Sequence, residues 1–140
     1  MNLTIDLPLL MKDQLIDHAK ASLPNECCGY ITGEEDRCKT LHKMTNVEAS
    51  PEYFEFDPKE QFQVVKTARK VNEVPVVVYH SHPDSPARLS AKDLELLNDP
   101  NMVYLIISLI DDVSDLKAYR IIDKKIHDVI INIKEDNNVS

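Results

Sequence analysis

His80, Ser81, His82 and Pro83, followed by Ser90 and Asp93, bring two imidazoles, a hydroxyl and a carboxylate into one short stretch of chain. These are the groups from which a catalytic zinc site is assembled. Imidazole nitrogen and carboxylate oxygen both bind Zn²⁺, and three protein ligands leave a fourth position for water. Two neutral imidazoles and one carboxylate leave such a site net positive, which acidifies a bound water towards a pKa of about 7. Each piece alone has an ordinary reading: Ser-x-x-Asp is a helix cap, and His-x-His at a strand end can be a surface pair. Their conjunction points to a metal, with His80, His82 and Asp93 as ligands.

The elements around these residues must make them converge. Val74-Pro-Val-Val-Val-Tyr79 is an apolar, β-branched run that reads as a buried strand. The two-residue period of a strand puts His80 and His82 on one face and Ser81 on the other, so Ser81 is given no catalytic role. Ser90-Ala-Lys-Asp93 has the form of a helix start, with Ser90 as N-cap and an acid three residues on. The loop between, stiffened by Pro83 and Pro86, can fold that turn back over the histidines.

A second segment, Pro24-Asn-Glu26-Cys27-Cys28-Gly29-Tyr-Ile-Thr-Gly33, contains both of the chain's glycines. Gly29 is expected where this segment approaches the zinc strand closely, and Gly33, followed by three acids, at a hairpin turn. Cys27, Cys28 and Cys38 are odd in number and lack C-x-x-C spacing. They read as reduced, small buried hydrophobes, the alternative being a thiol beside the site that responds to oxidation.

Over the rest of the chain, strands are expected at residues 3–5, 28–32, 37–45, 52–56, 74–81, 102–109, 116–122 and 126–133. The last two are joined by a turn at Asp123-Lys124-Lys125. Helices are expected at 8–22, at 58–71 and from Ser90, the second with Phe62, Val65, Ala68 or Arg69, and Val71 or Asn72 on one face. This is an α/β fold, a mixed sheet flanked by about three helices. At 140 residues and 43% hydrophobic, residues 1–140 suit a single domain. No apolar run is long enough to span a bilayer and no signal-peptide pattern opens the chain, so a cytoplasmic protein without membrane association is expected. A net charge of −8 without a Lys/Arg cluster argues against nucleic acid. Nothing in the residues speaks to oligomeric state.

His80-x-His82-Pro83 with Ser90-x-x-Asp93, preceded by Glu26 in Glu-Cys-Cys-Gly, resembles the JAMM or MPN-plus motif of zinc peptidases that act on ubiquitin and ubiquitin-like proteins. The chain looks like the short prokaryotic members, and the similarity extends through Ser50-Pro51, Asp57-Pro58 and residues 104–109. The resemblance implies an MPN/JAB1-like domain of cytidine-deaminase-like topology, with Zn²⁺ on His80, His82 and Asp93, Glu26 as general base and Ser90 as oxyanion donor. It also implies a substrate: a ubiquitin-like or sulfur-carrier protein whose Gly-Gly tail carries cysteine or an extension through a peptide or isopeptide bond. Residues 44–56 are the expected strand edge for capturing that tail by β-augmentation, an ordinary loop and strand being the alternative. Against the enzyme stands a noncatalytic MPN scaffold, which would lack the ligands or the glutamate. A zinc deaminase would pair His-x-Glu with Pro-Cys-x-x-Cys, and neither occurs. A DNA-repair relative would carry an added DNA-binding region, and none is visible.

Overall fold

A computed structural model describes residues 3–111 and 114–135. The described elements run β1 (Thr4–Pro8), α1 (Leu9–Ser22), β2 (Cys28–Glu34), β3 (Arg37–Met44), α2 (Pro58–Arg69), β4 (Val74–His82), α3 (Ala91–Leu96), β5 (Val103–Ser108), β6 (Asp115–Ile122) and β7 (Lys125–Lys134). The strands form one mixed sheet in the order β1-β3-β2-β4-β5-β6-β7, which closes on itself. Closure runs through β1, which lies parallel to β7 from Thr4↔Ile130 to Pro8↔Lys134 and pairs with β3 at Asp6↔Arg37.

β4 is central, antiparallel to β2 and parallel to β5. Buried on both faces, it needs the near-continuous apolar run seen in its sequence. Val77 and Tyr79 pack with Ile5, Leu7, Leu105 and Ile107 beneath Met11, Leu15 and Ala19 of α1. Val78 faces the other way, into a cluster with Cys28, Phe54, Leu97, Tyr104 and Ile121. His80 and His82 continue this second face, where Phe54 stacks on His80. None of the helices among the described residues is long and apolar enough to cross a membrane.

Gly29 stands opposite Tyr79, where a Cβ would run into the His42 carbonyl and the Tyr79 ring, so the close approach expected there is real. Asp123 and Lys124 both take positive φ, 54° and 66°, as the two-residue turn between β6 and β7 requires.

Three expectations are corrected. Residues 52–56 form no strand. Among the described residues they carry one isolated bridge, Asn46↔Phe56, and belong to a loop between β3 and α2. The buried face of α2 is Val64 and Ala68, one turn apart, while Phe62 is 69% exposed. Phe62 lies about 200° around the helix from Val64. Gly33 is not the turn residue: Glu35 takes the positive φ, and Gly33 sits at a bulge where a Cβ would strike the Arg37 carbonyl.

Candidate metal centre

The end of β4 and the first turn of α3 meet at a buried triangle of donors. The Nε2 atoms of His80 and His82 are 3.1 Å apart. Asp93 lies 3.1 Å from each, Oδ1 towards His80 and Oδ2 towards His82. Asp93 is delivered by the expected cap: its N–H donates to Ser90 Oγ at 3.0 Å, and the Ser90 N–H donates to Asp93 Oδ2 at 2.9 Å. The intervening loop is fastened at Ser85, whose carbonyl accepts from Ser108 Oγ, and at Ala87, whose carbonyl accepts from the Tyr119 hydroxyl.

The hydrogen bonds assign the lone pairs. The Pro86 carbonyl can only accept, so the His82 Nδ1 at 2.9 Å carries a proton, which leaves Nε2 to face Asp93 here and to offer its lone pair to a metal once deprotonated. His80 Nδ1 has no partner among the described residues; its ring is held by Phe54, stacked at 4.8 Å between centroids. Burial alone would raise the Asp93 pKa, but hydrogen bonds from His80, His82 and the Ser90 N–H hold it well below the usual carboxylate range. Burial pulls His80 down, favouring the neutral ligand form. At His82 burial acts the same way, but Asp93 and the Pro86 carbonyl outweigh it and raise the pKa.

These residues fit a metal ion. Ligand distances of about 2.0–2.1 Å in a tetrahedral zinc site give ligand-to-ligand edges of about 3.3 Å, close to the 3.1 Å edges here. His80, His82 and Asp93 together form a buried group able to hold an ion.

Glu26 and Ser90 wall the same cleft of about 460 Å³, together with His82, Ser85, Pro51 and Glu52. Glu26 is 3% exposed, and its Oε1 has no hydrogen-bond partner among the described residues. Burial pushes its pKa up to about 8, with His82 opposing and Asp93 adding to the rise. Ser81 points away from the centre, as strand parity requires, yet it holds the glutamate's segment: the Cys27 N–H donates to Ser81 Oγ at 2.7 Å, and the Ser81 N–H to the Cys27 carbonyl at 3.1 Å. Sequence reasoning passed over this role, although a polar side chain on a buried strand must find a partner. It also passed over Phe54 and the Pro86 carbonyl. The thiols of Cys27, Cys28 and Cys38 are free and buried, and burial pushes them up to about 11, 12 and 12. That suits small buried hydrophobes and disfavours the thiolate that oxidation needs.

A mixed sheet with two histidines at a strand end and an aspartate on the following helix is the arrangement that the resemblance to JAMM-type hydrolases implies. Residues 9–122 match the family of prokaryotic homologs of the JAB domain, and the chain belongs to that family. It is 36% identical over 124 residues to the CysO-cysteine peptidase of Mycobacterium tuberculosis, covering 86% of this chain and 85% of that protein. It is 34% identical over 104 residues to the desampylase of Haloferax volcanii, covering 69% and 75%. Among solved structures, a Desulfitobacterium hafniense protein superposes with a TM-score of 0.88 at 36% identity over 94% of both chains. A JAB1/MPN domain protein from Archaeoglobus fulgidus, at 18% identity and a TM-score of 0.63 over 94% and 98% of the two chains, shares the fold. The chain is a hydrolytic enzyme.

Proposed function

We propose that this enzyme is a zinc-dependent peptidase that cleaves after the C-terminal Gly-Gly of a ubiquitin-like or sulfur-carrier protein, releasing cysteine or a longer extension. The observation that carries the reading is the triangle of His80, His82 and Asp93 with the unpartnered carboxyl oxygen of Glu26 in the same cleft. His80, His82 and Asp93 would hold Zn²⁺, which would supply Lewis acidity and acidify a water in the cleft towards a pKa of about 7. Glu26 takes up the proton of the attacking water and passes it to the leaving amine nitrogen. Its place in a buried pocket favours holding a proton between the two transfers. Ser90 Oγ accepts from the Asp93 N–H, so its own hydroxyl proton is free to be donated to the oxyanion that forms on the scissile carbonyl. Cap and oxyanion donor are one hydroxyl.

The names of the relatives, CysO-cysteine peptidase and desampylase, support the substrate class. Pro51 and Glu52, from the loop that replaces the expected strand edge, wall the cleft in which an extended tail would lie. A noncatalytic scaffold is disfavoured by the complete set of donors and the buried glutamate.

The test is metal analysis of the purified protein, followed by mass spectrometry of ubiquitin-like proteins ending in Gly-Gly, with and without an added cysteine or extension. The expected result is one zinc per chain and release of whatever follows Gly-Gly, abolished by a chelator and restored by zinc. Zinc-loaded protein that cleaves none of these substrates would overturn the peptidase reading in favour of binding.

A further inference from the structure

Glu26 precedes β2, so the sheet does not satisfy its backbone. A buried peptide must place its N–H and C=O elsewhere, and here both go to the loop between β3 and α2. The Glu26 N–H donates to the Ser50 carbonyl at 2.8 Å, and Asn46 Nδ2 donates to the Glu26 carbonyl at 3.2 Å. The same amide organises the loop. Asn46 Nδ2 also donates to the Tyr53 carbonyl at 3.1 Å, and Oδ1 accepts the N–H groups of Glu48 at 3.1 Å and Glu55 at 3.2 Å. An amide side chain offers two donor hydrogens and two acceptor lone pairs, and Asn46 uses all four. From this loop, Phe54 stacks on the ring of His80 while Pro51 and Glu52 wall the cleft.

We infer that Asn46 is a positioning residue: it ties the cleft-facing loop to the backbone of Glu26 and thereby sets where the proton-accepting carboxylate stands. The inference rests on Glu26 being the base. Because Glu26 is anchored by a loop rather than a ladder, its alignment depends on that loop's internal order. Misplacing a reacting group by about 1 Å costs on the order of a hundredfold in rate.

The experiment compares Asn46→Ala, Asn46→Asp and Glu26→Gln, and each Asn46 substitution combined with Glu26→Gln, using zinc-loaded protein and a ubiquitin-like protein carrying an extension after Gly-Gly. Asn46→Asp keeps the two accepted bonds within the loop and loses the two donated ones, so it carries the test if the alanine variant does not fold. The expected result is kcat lower by about tenfold or more, KM within about threefold of the parent and zinc content unchanged. In the Glu26→Gln background the same substitutions should alter the residual rate by less than about twofold, because residues acting through one another are not additive. A residue that merely holds the loop together would raise KM, or slow both backgrounds alike, and either outcome overturns the inference. If Glu26→Gln abolishes turnover while the Asn46 variants keep the parental kcat, only this inference fails. If Glu26→Gln itself turns over normally, the base assignment fails.

Discussion

Replacing Glu26 with glutamine should stabilise the metal-free protein at alkaline pH, even though it removes the proposed base. Glu26 is 3% exposed, its Oε1 has no partner among the described residues, and burial shifts its carboxyl from an ordinary 4.5 up to about 8. Between those two pH values the folded protein holds a proton that the unfolded chain has released. Stability from this group is therefore fully present below about pH 4.5 and falls as pH rises, by about 1.4 kcal/mol per pH unit, until it levels off above about 8. Over the 3.5 units between 4.5 and 8 the loss is on the order of 5 kcal/mol, comparable with the whole stability of a marginal domain. Glutamine has nothing to ionise. Urea denaturation of both proteins in chelator, from pH 5 to 9, gives two stability curves whose difference removes the groups common to both. That difference should grow in favour of Glu26→Gln towards pH 8 and then flatten. Adding zinc should largely abolish it, because a nearby dication favours the charged carboxylate. A difference that stays flat from pH 5 to 9 in chelator would refute the account of Glu26 as a buried, uncompensated acid.

Two further substitutions separate support from chemistry. Ser90→Ala should slow turnover by on the order of a hundredfold through loss of about 3 kcal/mol of oxyanion stabilisation, and lower folding stability by about 1 kcal/mol through the lost cap, with zinc content retained. Steady-state kinetics and metal analysis on one preparation check both halves. Ser81→Ala leaves the buried Cys27 N–H without its 2.7 Å acceptor and should cost about 1–3 kcal/mol of stability in urea denaturation. It should also lower kcat, since the segment it releases carries Glu26, and unchanged stability and kcat together would remove its anchoring role.

Where the sequence was legible, a covalent periodicity decided the outcome. Strand parity puts His80 and His82 on one face of β4 because a buried strand cannot rotate without exposing Val77 or Val78. The Ser90 cap delivers Asp93 because the capping box is satisfied within one turn. Pairings distant in sequence were not legible: nothing in residues 4–8 announces that they lie beside 130–134 and close the sheet. The loop at 45–57 failed for a different reason. Glu52 to Phe56 alternates like a strand, but Asn46 and its neighbours take up the backbone groups that a ladder would need. The Glu55 N–H goes to the Asn46 side chain, the Glu55 carbonyl accepts from the Val47 N–H, and the Tyr53 carbonyl accepts from Asn46 Nδ2. The loop so ordered carries the Ser50 carbonyl and the Asn46 amide that bind the Glu26 backbone. Ser81 follows the same logic from the opposite face: parity turns it away from the donors, and from there it bonds Cys27, the neighbour of the proposed base. The three proposed metal donors are set by local pattern, while the position of Glu26, the proposed base, depends on polar side chains whose partners lie some 20 and 54 residues away. Substitutions at Asn46 and Ser81 should therefore spare the metal and slow the chemistry, whereas substitutions at His80, His82 or Asp93 should lose both together.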